Sequence, residues 1–302
     1  MILVTGGTGF VGKSIVSRLL AEGHQIRLLA RDTKTAAEIF PKAEIIEGNV
    51  LDPSSLEKAC KNADIIIHLA SIISYQKDRT ALREVNVDGT KNLLSACKSA
   101  KRFIFSSSVS VYGPVDPGTQ ADETYRLKPD TEYGKSKLEA EDLVRESRID
   151  YVALRMAPIY GPESPIWKKI LGMMDRRFPI PKNNNLTHVV HIDDVTEAFM
   201  LSLKKGYGVY NIADRKPIGF TELAAKLSNL LGKEPRFWPP WLIKAAAIPL
   251  GLRKSIDTWS ENRHYIIAKA ESELGFRPKA DMDAKLKEMA GWYRGLKPAQ
   301  TA

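Results

Sequence analysis

Short apolar runs alternate with stretches of helical spacing over the first half of the chain. Ile2–Thr5 is an apolar run that ends in glycines, and residues 12–22 place Ile15, Val16, Leu19 and Leu20 on one helical side. Ile26–Ala30 and Glu44–Glu47 read as the next strands, followed by a helix over 54–61. Residues 64–69 hold the run Ile65, Ile66, Ile67, a helix is predicted over 86–99, and 102–106 is a further apolar strand. Strands separated by helices predict an α/β fold, a Rossmann-type doubly wound parallel sheet with right-handed crossovers.

The pattern loosens after Met156, where Pro158, Pro162, Pro165, Pro179, Pro181 and the turn Asn183, Asn184, Asn185 interrupt it. Residues 189–192 and 209–212 are strand-like and are expected to return to the sheet. Residues 221–231 form an amphipathic helix with Leu223, Leu227, Leu230 and Leu231 together. Past Pro235 the composition shifts to Trp, Pro and Ala. The predicted division is a dinucleotide-binding part, 1–157 plus 187–213, and a smaller, mostly helical C-terminal substrate domain, 158–186 plus 214–302.

Composition narrows the classes. The 302 residues are 43% hydrophobic and 27% charged, ordinary for a globular chain, with a net charge of 45 − 36 = +9. The cations are spread out, with no long basic run and no nucleic-acid-reading motif, so no nucleic acid partner is expected; the excess reads as a solvated Lys-rich surface, with attraction of a phosphorylated ligand as the alternative. Two cysteines, Cys60 and Cys97, are too few for a disulfide framework, and buried free thiols are expected. The chain opens directly on a strand and no apolar run approaches a membrane span, which predicts a cytoplasmic protein.

Thr5 to Gly12 reads TGGTGFVG, with Gly6, Gly9 and Gly12 between a strand and a helix. The first glycine permits the turn, the second a close approach of diphosphate to backbone, and the third helix–strand packing. Thr8, Phe10 and Val11 belong to the same cradle. The second strand ends in Ala30, where an acid would hydrogen-bond the ribose of NAD, and Arg31 follows with a fork suited to a 2′-phosphate. NADP is therefore the expected cofactor, with Asp32 serving NAD as the alternative. Asn49, after the third strand, is placed to meet the adenine edge or to form a turn.

Tyr133 and Lys137 lie four apart at the start of a helix, hence on one face. A nearby ammonium stabilises a phenolate, so Tyr133 is a candidate acid or base on an alcohol or carbonyl. Ser106, Ser107 and Ser108 add hydroxyls at a strand end, where such sites lie in this architecture.

The order TGGTGFVG, HLA (68–70), NVDGTKNLL (86–94), FSSSVSVYG (105–113), YGKSK (133–137), LRMAPIYGP (154–162), HVVHIDDV (188–195) and VYNIAD (209–214) resembles the extended short-chain dehydrogenase/reductase family. That family includes the NAD-dependent epimerase/dehydratase enzymes and a 3β-hydroxysteroid dehydrogenase-like branch. The resemblance covers nearly the whole chain. It implies a catalytic triad in which Tyr133 exchanges the proton, Lys137 holds the nicotinamide ribose and tunes Tyr133, and Ser108 orients the substrate oxygen. It further implies cofactor contacts at Val50, Leu69, Ala70, Ser71, Asn86, Ser106, Pro158 and Ile159, with Asn86 resembling the family's helix-kinking asparagine, more structural than chemical. His191, Asp193 and Asp194 match a motif expected to pack and cap, and no metal site is expected.

Departures from the family pattern narrow the chemistry. Val109 and Ser110 stand where dehydratases carry acids, which disfavours dehydration. Ala157 stands where many nucleotide-sugar members carry Asn, which puts a UDP- or dTDP-sugar in question. The apolar segment 237–250 reads as ordinary packing about as readily as it reads as either a lid over a lipophilic substrate or a peripheral membrane contact over 238–252. The expected function is NADP-linked hydride transfer at a secondary alcohol or ketone of a sugar-nucleotide-like or sterol-like substrate. An epimerase without net redox change and a non-catalytic sensor or assembly subunit are the alternatives, and the resemblance implies a homodimer.

Overall fold

The computed structural model describes residues 1–73, 79–247 and 261–296. Its elements are β1 (Ile2–Thr5), α1 (Phe10–Ala21), β2 (Ile26–Ala30), α2 (Thr33–Ile39), β3 (Glu44–Glu47), α3 (Pro53–Cys60) and β4 (Ile65–His68). Then α4 (Arg79–Arg83) runs through a π turn, Glu84–Asp88, into α5 (Gly89–Ala96). The next elements are β5 (Arg102–Ser108), a 3₁₀ turn (Val109–Val111), α6 (Glu132–Glu146), β6 (Tyr151–Met156) and β7 (Ile159–Tyr160). They lead to α7 (Pro165–Asp175), β8 (Ile180–Pro181), β9 (Leu186–Thr187), β10 (Val190–His191), α8 (Ile192–Ser202) and β11 (Gly208–Ile212). The last are β12 (Ile218–Gly219), α9 (Phe220–Leu230), β13 (Phe237–Trp238), α10 (Pro240–Ala247), a π turn at Ala270–Leu274 and α11 (Met282–Gly295).

Seven strands form one sheet in the order β11-β6-β5-β4-β1-β2-β3, every pair parallel. Strand periodicity explains why it is covered on both sides. Val4, Leu28, Ile67, Ile104, Val152 and Leu154 pack with Ile15, Val16 and Phe199 of α1 and α8. Their neighbours Leu3, Leu29, Ile66, Phe103, Phe105 and Ala153 pack instead with Leu56, Leu93 and Val144 of α3, α5 and α6. Successive residues point to opposite faces, so a strand buried on both sides must be apolar throughout. A third cluster lies apart from the sheet, where Trp167, Leu171, Leu223, Leu227, Leu286 and Met289 join α7, α9 and α11. The chain leaves β1 for β2 on one side and returns to β4 on the other, so a crevice opens at the C-terminal ends of β1 and β4.

The structure corrects several expectations. Cys60 and Cys97 are bonded to each other, not free thiols, with Cα atoms 5.2 Å apart. Each closes a helix that looks isolated in sequence, but α3 and α5 share one sheet face, which brings their C-terminal ends together. The segment 209–212 joins the sheet beside β6, whereas 189–192 does not. Only Val190–His191 is extended, paired with β7, because His191 caps α8 and the chain turns helical at Ile192. The helix predicted over 86–99 begins earlier and bulges around Asn86. α2 and β6 have no counterpart among the predicted elements; β6 is buried along its whole length and shows no alternation.

Candidate active site

The turn after β1 is shaped by three glycines with different duties. Gly6 has φ +72°, and a Cβ there would lie 2.7 Å from the Ala70 nitrogen. At Gly12 a Cβ would meet the Gly6 carbonyl oxygen at 2.2 Å, so only glycine lets α1 pack onto the turn. Gly9 differs, because a Cβ there would touch only the Gly6 oxygen, at 3.3 Å, and otherwise enter open space. No side chain caps α1 and its first turn carries no acid. An exposed backbone turn at an uncapped helix start suits a diphosphate, which the positive end of the helix attracts. Thr8, Phe10 and Val11 are half-buried around it.

The ends of β2 and β3 flank this crevice. Arg31 is exposed directly after β2 and makes no hydrogen bond or ion pair among the described residues. Asp32 is occupied: its carboxylate caps α2, accepting from the Thr35 nitrogen at 2.9 Å and the Thr35 hydroxyl at 2.6 Å. Those bonds, the hydroxyl's first, hold its pKa below the ordinary value. Asn49 makes a turn, its Oδ1 accepting from the Leu51 nitrogen at 2.8 Å, and Val50 beside it is buried.

The segment after β4 is tied from three directions. Leu69 donates to the Thr5 carbonyl at 3.1 Å and Ala70 to the Thr5 hydroxyl at 3.3 Å. Beyond the half-buried Ser71, Asn86 in the π turn accepts from the Ile72 nitrogen at 2.7 Å. Its amide donates to the Ile72 carbonyl at 3.1 Å and to Ser136 Oγ at 3.0 Å. Asn86 thus fastens this segment to α6, a positioning role. His68 at the end of β4 lies between the hydroxyls of Thr5 and Thr90, at 2.7 and 2.9 Å. Burial, then the charge of Lys137, pushes its pKa down to about 3, so the imidazole is neutral.

Ser106 and Ser108 lie at the C-terminal end of β5. Ser108 Oγ accepts from the Ser110 nitrogen at 3.2 Å and donates to the Ser110 hydroxyl at 3.0 Å. Thr131 caps α6 by accepting from the Gly134 nitrogen at 3.0 Å. A Cβ on Gly134 would stand 2.5 Å from the Ser110 carbonyl oxygen, so the first turn of α6 rests against the turn after β5. That contact brings the segments bearing Ser108 and Tyr133 together. Lys137, one turn further, is 2% exposed, with Nζ 4.4 Å from the centre of the Phe105 ring. Burial lowers its pKa to about 7, against the opposing pull of Glu141. Pro158 and Ile159 are half-buried beyond β6, where the Pro158 carbonyl accepts from the Val190 nitrogen at 3.1 Å.

Behind this group runs a buried polar network that sequence reasoning missed. Ser107 donates to Glu141 at 2.6 Å, and Glu141 pairs with Arg155, which donates to the Tyr112 hydroxyl at 2.9 Å. Tyr112 donates to Asn211 Oδ1 at 2.7 Å, and the Asn211 amide reaches the carbonyls of Ala121 and Ile266. The available signal was a lone arginine inside the otherwise uncharged run of β6, which a buried strand accommodates only with a partner.

A profile of the NAD dependent epimerase/dehydratase family matches residues 2–213, from β1 through the end of β11. The chain belongs to this family. The putative dihydroflavonol 4-reductase of Synechocystis is 28% identical, over 96% of this chain and 94% of that one. A 3 beta-hydroxysteroid dehydrogenase/Delta 5-->4-isomerase of Mycobacterium tuberculosis is 26% identical, over 98% and 90%. The structure of UDP-glucose 4-epimerase from Thermotoga maritima with UDP-glucose superimposes with a TM-score of 0.81 at 26% identity, over 97% of this chain and 98% of that one.

The resemblance to the extended short-chain dehydrogenases/reductases is thus borne out, as is the doubly wound fold, and the protein is an enzyme of a nicotinamide-dependent family. Within this epimerase/dehydratase chain, the acidic motif near His191 has structural duties. His191 Nδ1 accepts from the Asp193 nitrogen at 3.2 Å, and Asp194 accepts from the nitrogens of Lys279 and Ala280 at 2.8 and 3.1 Å. Val109 is buried in the turn after Ser108, and Ala157 is buried after β6. The segment 237–250 supplies β13 and α10; its residues 248–250, like the far end of 238–252, lie outside the described residues. No helix among the described residues is long and apolar enough to cross a membrane.

Proposed function

We propose that the protein is an NADP-dependent oxidoreductase that moves a hydride at a secondary alcohol or the corresponding ketone. The observation that carries this reading is the contact of Gly134 with the Ser110 carbonyl, which sets the segments of Ser108 and Tyr133 side by side at the C-terminal end of β5. The cofactor supplies or accepts the hydride when bound. Tyr133 exchanges the proton of the substrate oxygen, Ser108 orients that oxygen, and Lys137 steadies the phenolate and holds the nicotinamide ribose. The turn at Gly6, Thr8, Gly9, Phe10, Val11 and Gly12 holds the diphosphate. Asn49 and Val50 receive the adenine end, and Leu69, Ala70, Ser71, Ser106, Pro158 and Ile159 line the remainder. Residues 1–157 with 187–213 carry the dinucleotide, and 158–186 with 214–302 carry the substrate.

The choice of NADP rests on Arg31, exposed and without a partner among the described residues, beside an Asp32 already engaged as a cap. Titration with both cofactors tests it. Arg31→Ala should weaken NADPH about tenfold or more while NADH is unchanged, the loss of one charge-assisted contact to a phosphate. Equal affinities before and after would return the assignment to NAD.

A lipophilic substrate is supported over a nucleotide sugar by Ala157, buried where many nucleotide-sugar members carry Asn, and by the likeness to the 3 beta-hydroxysteroid dehydrogenase/Delta 5-->4-isomerase of Mycobacterium tuberculosis. The epimerase reading is supported by the likeness to the Thermotoga maritima enzyme. Net oxidation of reduced nicotinamide by ketones points to the first; interconversion without it, on cofactor retained through purification, points to the second. In the same reading two copies pair through the outer faces of α5 and α6, which sedimentation velocity tests.

A further inference from the structure

Half of the exposed large apolar side chains among the described residues lie on two segments beside the small third cluster. Ile166 and Met173 lie on α7, Phe178 follows it, Trp238 ends β13, and Trp241 and Leu242 open α10. Trp241 is 69% exposed and Phe178 49%. Strand pairing brings the segments that carry the later four together. β8 and β13 run parallel with Ile180 opposite Phe237 and Pro181 opposite Trp238, fixed by the Ile180 nitrogen on the Arg236 carbonyl at 2.8 Å and the Lys182 nitrogen on the Trp238 carbonyl at 2.9 Å. α10 begins two residues after Trp238, with Ile243 turned inward and Trp241 and Leu242 turned out.

Cations surround these rings. Arg176, Arg177, Lys182 and Arg236 are all exposed, and the Arg236 guanidinium lies 5.9 Å from the centre of the Trp238 ring. Two carboxylates lie in the same stretch, Glu234, 4.0 Å from Arg177, and the half-buried Asp175 directly before Arg176, so the four cations outnumber them. Indoles combine an apolar body with one donor and settle where apolar and wet regions meet. Exposed arginines and lysines at their edge add attraction to a continuous anionic surface. The face rises on a two-strand ribbon and a helix start, and its charge is predominantly positive. That arrangement suits a sheet of phosphates better than a protein partner, whose interface would bring carboxylates only at fixed points.

We propose that the face formed by Arg176, Arg177, Phe178, Lys182 and the stretch from Arg236 to Leu242 docks on an anionic lipid bilayer. Phe178, Trp238, Trp241 and Leu242 enter the boundary between headgroups and acyl chains, and the four cations meet lipid phosphates. The contact is peripheral and does not depend on the oxidoreductase reading, since it involves none of the residues assigned to cofactor or chemistry.

Sedimentation of the full chain with sucrose-loaded vesicles tests this without any turnover. With equal parts phosphatidylcholine and phosphatidylglycerol the protein should pellet, with added salt weakening the binding, and with phosphatidylcholine alone it should stay largely in solution. Trp241→Ala should reduce partition about tenfold, the loss of most of one buried indole. The Arg176→Glu, Arg177→Glu, Arg236→Glu triple variant should lose about fivefold or more per position. Lys98→Glu with Lys101→Glu, in the turn between α5 and β5, should bind as the parent does. These positions are exposed, and unchanged circular dichroism will show that the variants fold. The proposal fails if the parent does not bind phosphatidylglycerol vesicles, if Trp241→Ala and the triple variant bind like the parent, or if the Lys98 and Lys101 pair abolishes binding instead.

Discussion

Glu141 holds Arg155 by two points, Arg155 Nη2 to Oε1 at 2.5 Å and Nε to Oε2 at 3.1 Å, one helical turn beyond Lys137. The two side chains are 1% and 3% exposed, so the pair is fully withdrawn from water. It links the helix of Tyr133 and Lys137 to the strand beside β5. A buried ion pair adds little net stability over an apolar pair, but losing one partner strands the other charge. Glu141→Ala is therefore expected to cost about 3–5 kcal/mol. The double variant Glu141→Leu, Arg155→Met should recover most of that loss. Urea denaturation of the three proteins checks it; additive losses would show that the pair is not coupled.

Lys137 opposes stability at neutral pH because its charge is buried. Its pKa in the fold, about 7, lies below the ordinary 10.5 because burial disfavours the charged form. Between those values the unfolded chain binds more protons than the folded one, so this group makes stability rise with pH across that window and leaves it flat below about 7. Lys137→Met should be more stable at neutral pH by on the order of 2–4 kcal/mol, should lose the rise towards alkaline pH, and should lose turnover. Denaturation midpoints at neutral and alkaline pH report it. A variant less stable than the parent throughout would mean that Lys137 is solvated.

The bond between Cys60 and Cys97 closes a loop with a sequence separation of 37. Constraining the unfolded chain over such a loop stabilises by about 3–4 kcal/mol in the chain-entropy model. The purified, unreduced protein should carry no alkylatable thiol, and a reductant should lower its melting temperature, while Cys60→Ala with Cys97→Ala should melt low in either condition. Two labelled thiols without reductant would contradict the bond.

What the sequence revealed and what it hid follow one division. Strands β1 to β5 were legible because each is an apolar run bounded by glycines, polar turns or helices of clear period, and the glycines at 6, 9 and 12 announce a turn by residue type alone. Tyr133 and Lys137 were legible through helical spacing. The network from Ser107 through Glu141, Arg155 and Tyr112 to Asn211 was not, since its members are separated in sequence and meet only when β5, β6, β11 and α6 assemble. The disulfide was hidden for the same reason, since it depends on what lies across a helix, which a local pattern does not record, whereas the irregularity at Asn86 was implied by the family resemblance alone.

Steady-state reduction of a ketone panel by the parent and by Tyr133→Phe, with NADPH titrated into both, tests the central claim most directly. The account predicts that kcat/KM falls about 10²- to 10⁴-fold, the share supplied by a positioned proton donor, while NADPH affinity stays within about twofold. Undiminished turnover by Tyr133→Phe would contradict it.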